Sequence, residues 1–238
     1  MTIFSGGNLG NLRGGFSTWH DRHEAPTAES ERQSGVHYFT AQPEVQSSPQ
    51  TIEVVLPDFE VTLETDRGVF AVGKLDPGTR QLLQVAPPPP PRGNLLDLGT
   101  GYGPIAITLA RRSPGAVVWA VDVNQRALEL VRRNVDRAGV TNVIPAQPDD
   151  VPADVTFIAI YSNPPVRVGK VALHEMLGRW LVRLEPDGRC LLVVHKNLGG
   201  DSLARWLDER GFATHRLASR KGYRILEAVA ASPPRVGD

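Results

Sequence analysis

Leu96-Asp97-Leu98-Gly99-Thr100-Gly101-Tyr102-Gly103 stands between an apolar run, Leu95 to Leu98, and a segment from Pro104 to Arg112. In that segment Ile105, Ile107, Leu109 and Ala110 fall at helical spacing, with proline in the first turn. A short apolar strand, a glycine-rich turn and a helix form the opening unit of an open α/β sheet. The turn is where such a sheet receives its ligand. Glycine at these positions removes Cβ atoms where a ligand must approach the backbone.

Reading outward toward the C-terminus, strands and helices alternate. Ala116–Val121 is a strand with almost no polar positions, and Asn124 to Ala138 is an amphipathic helix stopped by Gly139. Strands over 142–146, 155–161 and 189–195 follow, with helices over 171–184 and 201–210. Two last strands, 213–218 and 223–230, are joined through Ser219-Arg-Lys-Gly222, too short for a helical crossover, so the final strand must run antiparallel. Continuous apolar strands alternating with helices predict a doubly wound, seven-stranded, mostly parallel α/β sheet.

Toward the N-terminus the pattern differs. Thr51–Leu56 and Phe59–Glu64 alternate apolar and polar residues around Pro57-Asp58, a hairpin signal; Gly68–Val72 offers a third strand. Asp76-Pro-Gly-Thr79 reads as a turn into a short helix over 80–85. Pro87 to Pro91 are five consecutive prolines, an extended run that fits neither helix nor sheet interior. The expected organisation is a small β-rich lobe over residues 35–91 and a ligand-binding domain over 92–238. Residues 1–34, rich in Gly, Ser, Asn and charge, are expected to form a disordered tail and lack the apolar core of a signal peptide.

Composition narrows the function classes. Lys plus Arg equals Asp plus Glu at 26 each, so a nucleic-acid partner would depend on local basic patches. The single cysteine, Cys190, lies in an apolar run, so no intramolecular disulfide or multi-cysteine metal site can form, and no metal is expected. That usage suits a reducing cytoplasm. No stretch approaches the roughly 20 apolar residues of a membrane span.

Two acids and an Asn-Pro-Pro triplet carry the chemistry. A dinucleotide loop reads G-x-G-x-x-G and packs a pyrophosphate on a helix N-terminus. Here the spacing is G-x-G-x-G, with Asp97 two residues before the first glycine. A carboxylate there repels a pyrophosphate and suits a cationic ligand with an ammonium group, which favours S-adenosylmethionine over a nicotinamide. Asp122 ends the second strand, 25 residues after Asp97, where a carboxylate accepts both ribose hydroxyls. At the end of the fourth strand stands Ser162-Asn163-Pro164-Pro165. Two prolines lock the backbone and withhold donors. The Asn163 oxygen and the Pro164 carbonyl then face one amino group as acceptors, which stabilises positive charge on a weakly nucleophilic nitrogen as it attacks a methyl group.

Asp97–Ala106, Ala120–Asn124 and Ser162–Pro165 together resemble the methyltransferase small domain, the catalytic domain of bacterial guanine-N2 methyltransferases of small-subunit ribosomal RNA. The resemblance runs from about Tyr38 to Val229 and takes in Asp66–Phe70 and Asp76–Thr79. It implies a seven-stranded Rossmann-like sheet and S-adenosylmethionine as cofactor. It implies cofactor binding at Phe70, Thr79, Asp97, Gly99, Thr100, Gly101, Gly103, Asp122, Val123 and Asn124, with Asp149 or Asp150 on the adenine. Target-nitrogen binding falls to Asn163 and Pro164, supported by Pro165. Val166, Arg167, Lys170 and Lys196 become candidate RNA contacts, with Arg216, Arg220, Lys221 and Arg224 around the last hairpin.

The family motif usually continues with Phe or Tyr, which stacks on the target ring. Val166 stands there, followed by Arg167, so Tyr161, Tyr102 or Arg167 would have to replace that stacking. The expected activity is methyl transfer to an exocyclic amino group, guanine N2 in RNA first. The alternatives are a glutamine side-chain amide in protein, a silent RNA-binding module, and a nicotinamide oxidoreductase, the last disfavoured by Asp97.

Overall fold

The computed structural model describes residues 45–165 and 168–231; the expected 1–34 tail lies outside them. Seven strands form one sheet: β3 (Gly93–Leu98), β4 (Ala116–Val121), β5 (Val143–Ala146), β6 (Phe157–Ser162), β7 (Leu184–His195), β8 (Ala213–Arg220) and β9 (Tyr223–Val229). Their order is β5-β4-β3-β6-β7-β9-β8. The pairs from β5 through β7 are parallel, and β9 is antiparallel to both β7 and β8. The β8–β9 loop is Lys221-Gly222 alone, both at positive φ (49° and 82°), the backbone that matches a two-residue turn to strand twist.

Alternate residues of each strand face opposite sides. Leu95, Val118, Ala120, Ala159, Leu191 and Ile225 pack in one apolar cluster; Leu96, Leu98, Val121, Ile160, Leu192 and Leu226 pack in the other. The first is covered by α1 (Pro77–Val85), α2 (Pro104–Arg112) and α3 (Gln125–Ala138), the second by α4 (Lys170–Leu181) and α5 (Gly200–Asp208). Helices on both faces explain why the strands read as unbroken apolar runs.

The hairpin β1 (Gln50–Val55) and β2 (Glu60–Thr65) is antiparallel as expected. Its residues Ile52, Val54 and Leu63, with Leu82 of α1, lie in the same cluster as Leu95, Ile107 and Val131. The five prolines therefore join segments that share one core.

One buried side chain fastens the hairpin. The Asn134 amide, fully buried on α3, accepts from Glu64 N (2.7 Å) and donates to Glu64 O (2.8 Å) and Tyr102 O (2.9 Å). It thus satisfies the free edge of β2 and the end of the glycine loop together. Asn134→Ala leaves three backbone groups unpaired, and urea denaturation is expected to show a loss of about 3 kcal/mol.

Three expectations change. Gly68–Val72 is a turn rather than a third strand: Gly68, Ala71 and Gly73 take positive φ (81°, 61° and 70°), which no strand accommodates. Helix α1 begins at Pro77 rather than residue 80, because the Asp76 carboxylate accepts from Thr79 N (2.9 Å) and caps it. Helix α4 ends at Leu181 rather than residue 184, because the chain there turns into the sheet, with Phe157 N donating to Arg183 O (2.8 Å).

Candidate active site

The strand order reverses between β3 and β6: β4 and β5 lie on one side, β7 on the other. A crevice opens at such a point beyond the carboxyl ends of the strands. Both signature segments end there side by side. Asp97 is in register with Tyr161, and the Ser162 hydroxyl donates to Leu98 O (2.6 Å), tying the two strand ends together.

Asp97 is completely buried. Its Oδ2 accepts from the Thr100 hydroxyl (2.6 Å) and from Ala106 N in the first turn of α2 (2.9 Å). Its Oδ1 is buried without a hydrogen-bond partner. Burial pushes this carboxyl up to about 7, and the Asp122 charge adds to the rise, against the pull of the two donors. Asp122 is raised too, again by burial first, while the N–H groups of Asn124, Gly101 and Val123 oppose the shift. Its oxygens accept from Gly101 N and Asn124 N at 2.9 Å each, so this carboxylate braces the glycine loop.

The three glycines have different tasks. Gly99 and Gly101 take positive φ (74° and 58°); a Cβ on Gly99 would meet nothing within 4 Å, and one on Gly101 only Val69 at 3.9 Å. They floor an open cradle. Gly103, at φ 89°, has Val131 3.2 Å from where its Cβ would stand, so it serves the packing of α2 on α3.

Phe70, Ala71, Asp76, Thr79, Gly101 and Asn163 line one cleft over this cradle. The Asn163 Nδ2 donates to Asp76 Oδ1 (2.8 Å) and Thr79 Oγ1 (3.0 Å). With its nitrogen so engaged, the amide has its oxygen left as an acceptor, and no described residue donates to it. Pro164 is buried behind it.

A family model described as Methyltransferase small domain matches residues 60–227. The chain belongs to the methyltransferase small domain family. It is 34% identical over 195 residues to the uncharacterized protein YbxB of Bacillus subtilis, covering 81% of this chain and 97% of that one. It is 36% identical over 178 residues to ribosomal RNA small subunit methyltransferase C of Chromohalobacter salexigens, covering 71% and 51%. Among solved structures, the T. thermophilus 16S rRNA guanine N2 methyltransferase (RsmC), in complex with AdoMet and guanosine, matches with a TM-score of 0.68 and 26% identity over 79% of this chain and 52% of that one. The chain spans about half the length of these ribosomal RNA relatives.

As a member of the methyltransferase small domain family, the protein is an S-adenosylmethionine-dependent methyltransferase. The residues present fit that donor. The unpartnered, buried Asp97 Oδ1 suits an ammonium group, and the open cradle at Gly99 and Gly101 admits close approach to the backbone. When bound, the donor supplies an electrophilic methyl group on a sulfonium.

Other predicted residues fall less uniformly. Thr100 faces Asp97, so its hydroxyl is already engaged. Asn124 caps α3, accepting from Arg126 N (3.0 Å), and its Nδ2 donates to Gly68 O (2.8 Å); it fixes the 66–70 turn beside the cleft. Phe70 and Val123 are exposed, at 48% and 41%. Asp150 is exposed in the turn after β5, and neighbouring Asp149 is bound to Arg179 (2.7 Å). Lys170 and Lys196 are exposed at the start of α4 and the end of β7, whereas Val166 and Arg167 lie outside the described residues. Tyr102 and Tyr161 are core residues, 2% and 1% exposed, and neither can stack on a substrate.

Sequence reasoning missed Asp76 as a site residue. An Asp followed by Pro at the first helical position is a helix-start signal, and recognising it would have placed the carboxylate at a helix tip.

Proposed function

We propose that the protein methylates the exocyclic N2 of a guanine in small-subunit ribosomal RNA. The observation that carries this reading is the Asn163 amide, held by its nitrogen to Asp76 and Thr79 beside the glycine cradle, so that its oxygen remains as an acceptor for an N–H group. Such a site selects an amine or amide nitrogen. Asn163 Oδ1 and the Pro164 carbonyl would take the two N–H groups of one NH2. That turns the nitrogen lone pair toward the methyl group and stabilises the positive charge that grows on nitrogen. A proton then leaves from the cationic product, so no strong base is required. Pro164, which is buried, and the half-buried Pro165 hold the backbone rigid at this point.

RNA as the carrier of that guanine is supported by charge placement and by similarity to RsmC, which was solved with guanosine. The parallel strands end at one rim, and the β8–β9 loop reaches the same rim because Tyr223 pairs with His195. Exposed Lys170, Lys196, Arg220 and Lys221 therefore sit around the end of the sheet that carries Asn163, and none has an ion-pair partner among the described residues. Local charge of this kind serves phosphate binding in a chain of zero net charge. Phe70 is exposed on the cleft wall, where an aromatic ring suits contact with a base.

The test is transfer of a labelled methyl group from S-adenosylmethionine to small ribosomal subunits, whose RNA and protein are then separated and digested to nucleosides and amino acids. Label in N2-methylguanosine is the expected result. Label only in protein, recovered as methylglutamine, would instead assign the acceptor to a side-chain amide.

A further inference from the structure

We propose that Asp76 is a positioning residue whose carboxylate, with the Thr79 hydroxyl, fixes the Asn163 amide with its oxygen toward the cleft. This rests on the reading of Asn163 as the group that holds the target nitrogen. An asparagine amide is nearly symmetric in shape, and a free one turns over between two orientations. One presents an acceptor to the substrate; the other presents an NH2 that would repel the substrate's own N–H groups. Only the first is productive for an amine.

The surroundings decide between them. Asp76 Oδ1 is an acceptor, 2.8 Å from the amide and already receiving Thr79 N–H. An inverted amide would bring two acceptor oxygens to that distance, so the inverted state is closed off. Donation to a carboxylate also draws electron density toward the amide oxygen, which strengthens it as an acceptor where charge grows on the target nitrogen.

Asp76 and Asn163 are 87 residues apart, and the fold holds them in place. Asp76 caps α1, and α1 is seated hard against the sheet: a Cβ on Gly78 would stand 2.8 Å from the Tyr223 ring. The first turn of α1 is thereby pinned at the end of the sheet that carries Asn163.

The variant that separates cap from positioning is Asp76→Ser. Serine still accepts from Thr79 N and keeps the helix capped, but it lacks a carboxylate for the Asn163 amide. Its kcat for methylation of small-subunit ribosomal RNA is expected to fall about ten-fold, corresponding to one lost charge-assisted hydrogen bond, with S-adenosylmethionine affinity unchanged. In the Asn163→Ala background, Asp76→Ser should cause no further loss.

A readout independent of turnover is nitrogen-15 NMR of the resting protein. The Asn163 side-chain NH2 signals, identified by their disappearance in Asn163→Ala, should exchange with solvent several-fold faster in Asp76→Ser. Unaltered exchange, additive losses in the double variant, or a matching loss of cofactor affinity would each overturn the role of Asp76. Full activity of Asn163→Ala alone would instead overturn the reading of Asn163, and the inference with it.

Discussion

Asn163→Ala is expected to reduce methyl transfer by about 10²–10³-fold, the cost of removing one preorganised group from the place where charge develops. Binding of S-adenosylmethionine, followed by calorimetry, should change by less than about two-fold. The asymmetry follows from geometry: the Asn163 amide bonds to Asp76 and Thr79, and neither the glycine cradle nor Asp97 depends on it. The loss should appear in kcat, because the Asn163 oxygen is worth more to a nitrogen becoming cationic than to a neutral one. Equal losses in rate and cofactor affinity would place Asn163 on the donor side of the cleft and refute the assignment.

Asp97→Asn should move cofactor affinity and apo-protein stability in opposite directions. Truncating one member of a buried charge pair costs about 2–5 kcal/mol, so donor affinity should fall at least about 30-fold. The wild-type affinity should rise with pH and level off above about 7, since only the ionised Asp97 attracts an ammonium group, and the variant should lose that dependence.

Stability runs the other way. A carboxyl raised from 3.8 to about 7 by burial favours its protonated form in the folded chain, so its contribution is complete below the unfolded value and is lost as pH rises toward 7. Asparagine carries no such dependence. Donor-free Asp97→Asn should therefore gain melting temperature relative to wild type between pH 4 and 7, with a constant difference above that. A gap that closes with rising pH would show that Asp97 is stabilised as the anion by something other than the donor. An unfavourable buried acid of this kind is a cost accepted for binding.

The sequence by itself determined the sheet, its strand count and the antiparallel end. Strand-turn-helix periodicity depends on local spacing, and the Lys221-Gly222 turn admits no crossover. It also singled out Asp97, the glycine loop and Asn163 as candidates, because their combination at the ends of two strands of such a sheet, rather than any one residue type, points to a ligand. The tertiary structure alone decided what their polar atoms meet. Asp76 reaches Asn163 across 87 residues, Asn134 joins β2 to the glycine loop across 70 and 32, and burial turns Tyr102 and Tyr161 inward. Hydrogen-bond partnership between distant segments follows from how the elements dock, and which polar atoms meet on docking leaves no periodic trace in the chain.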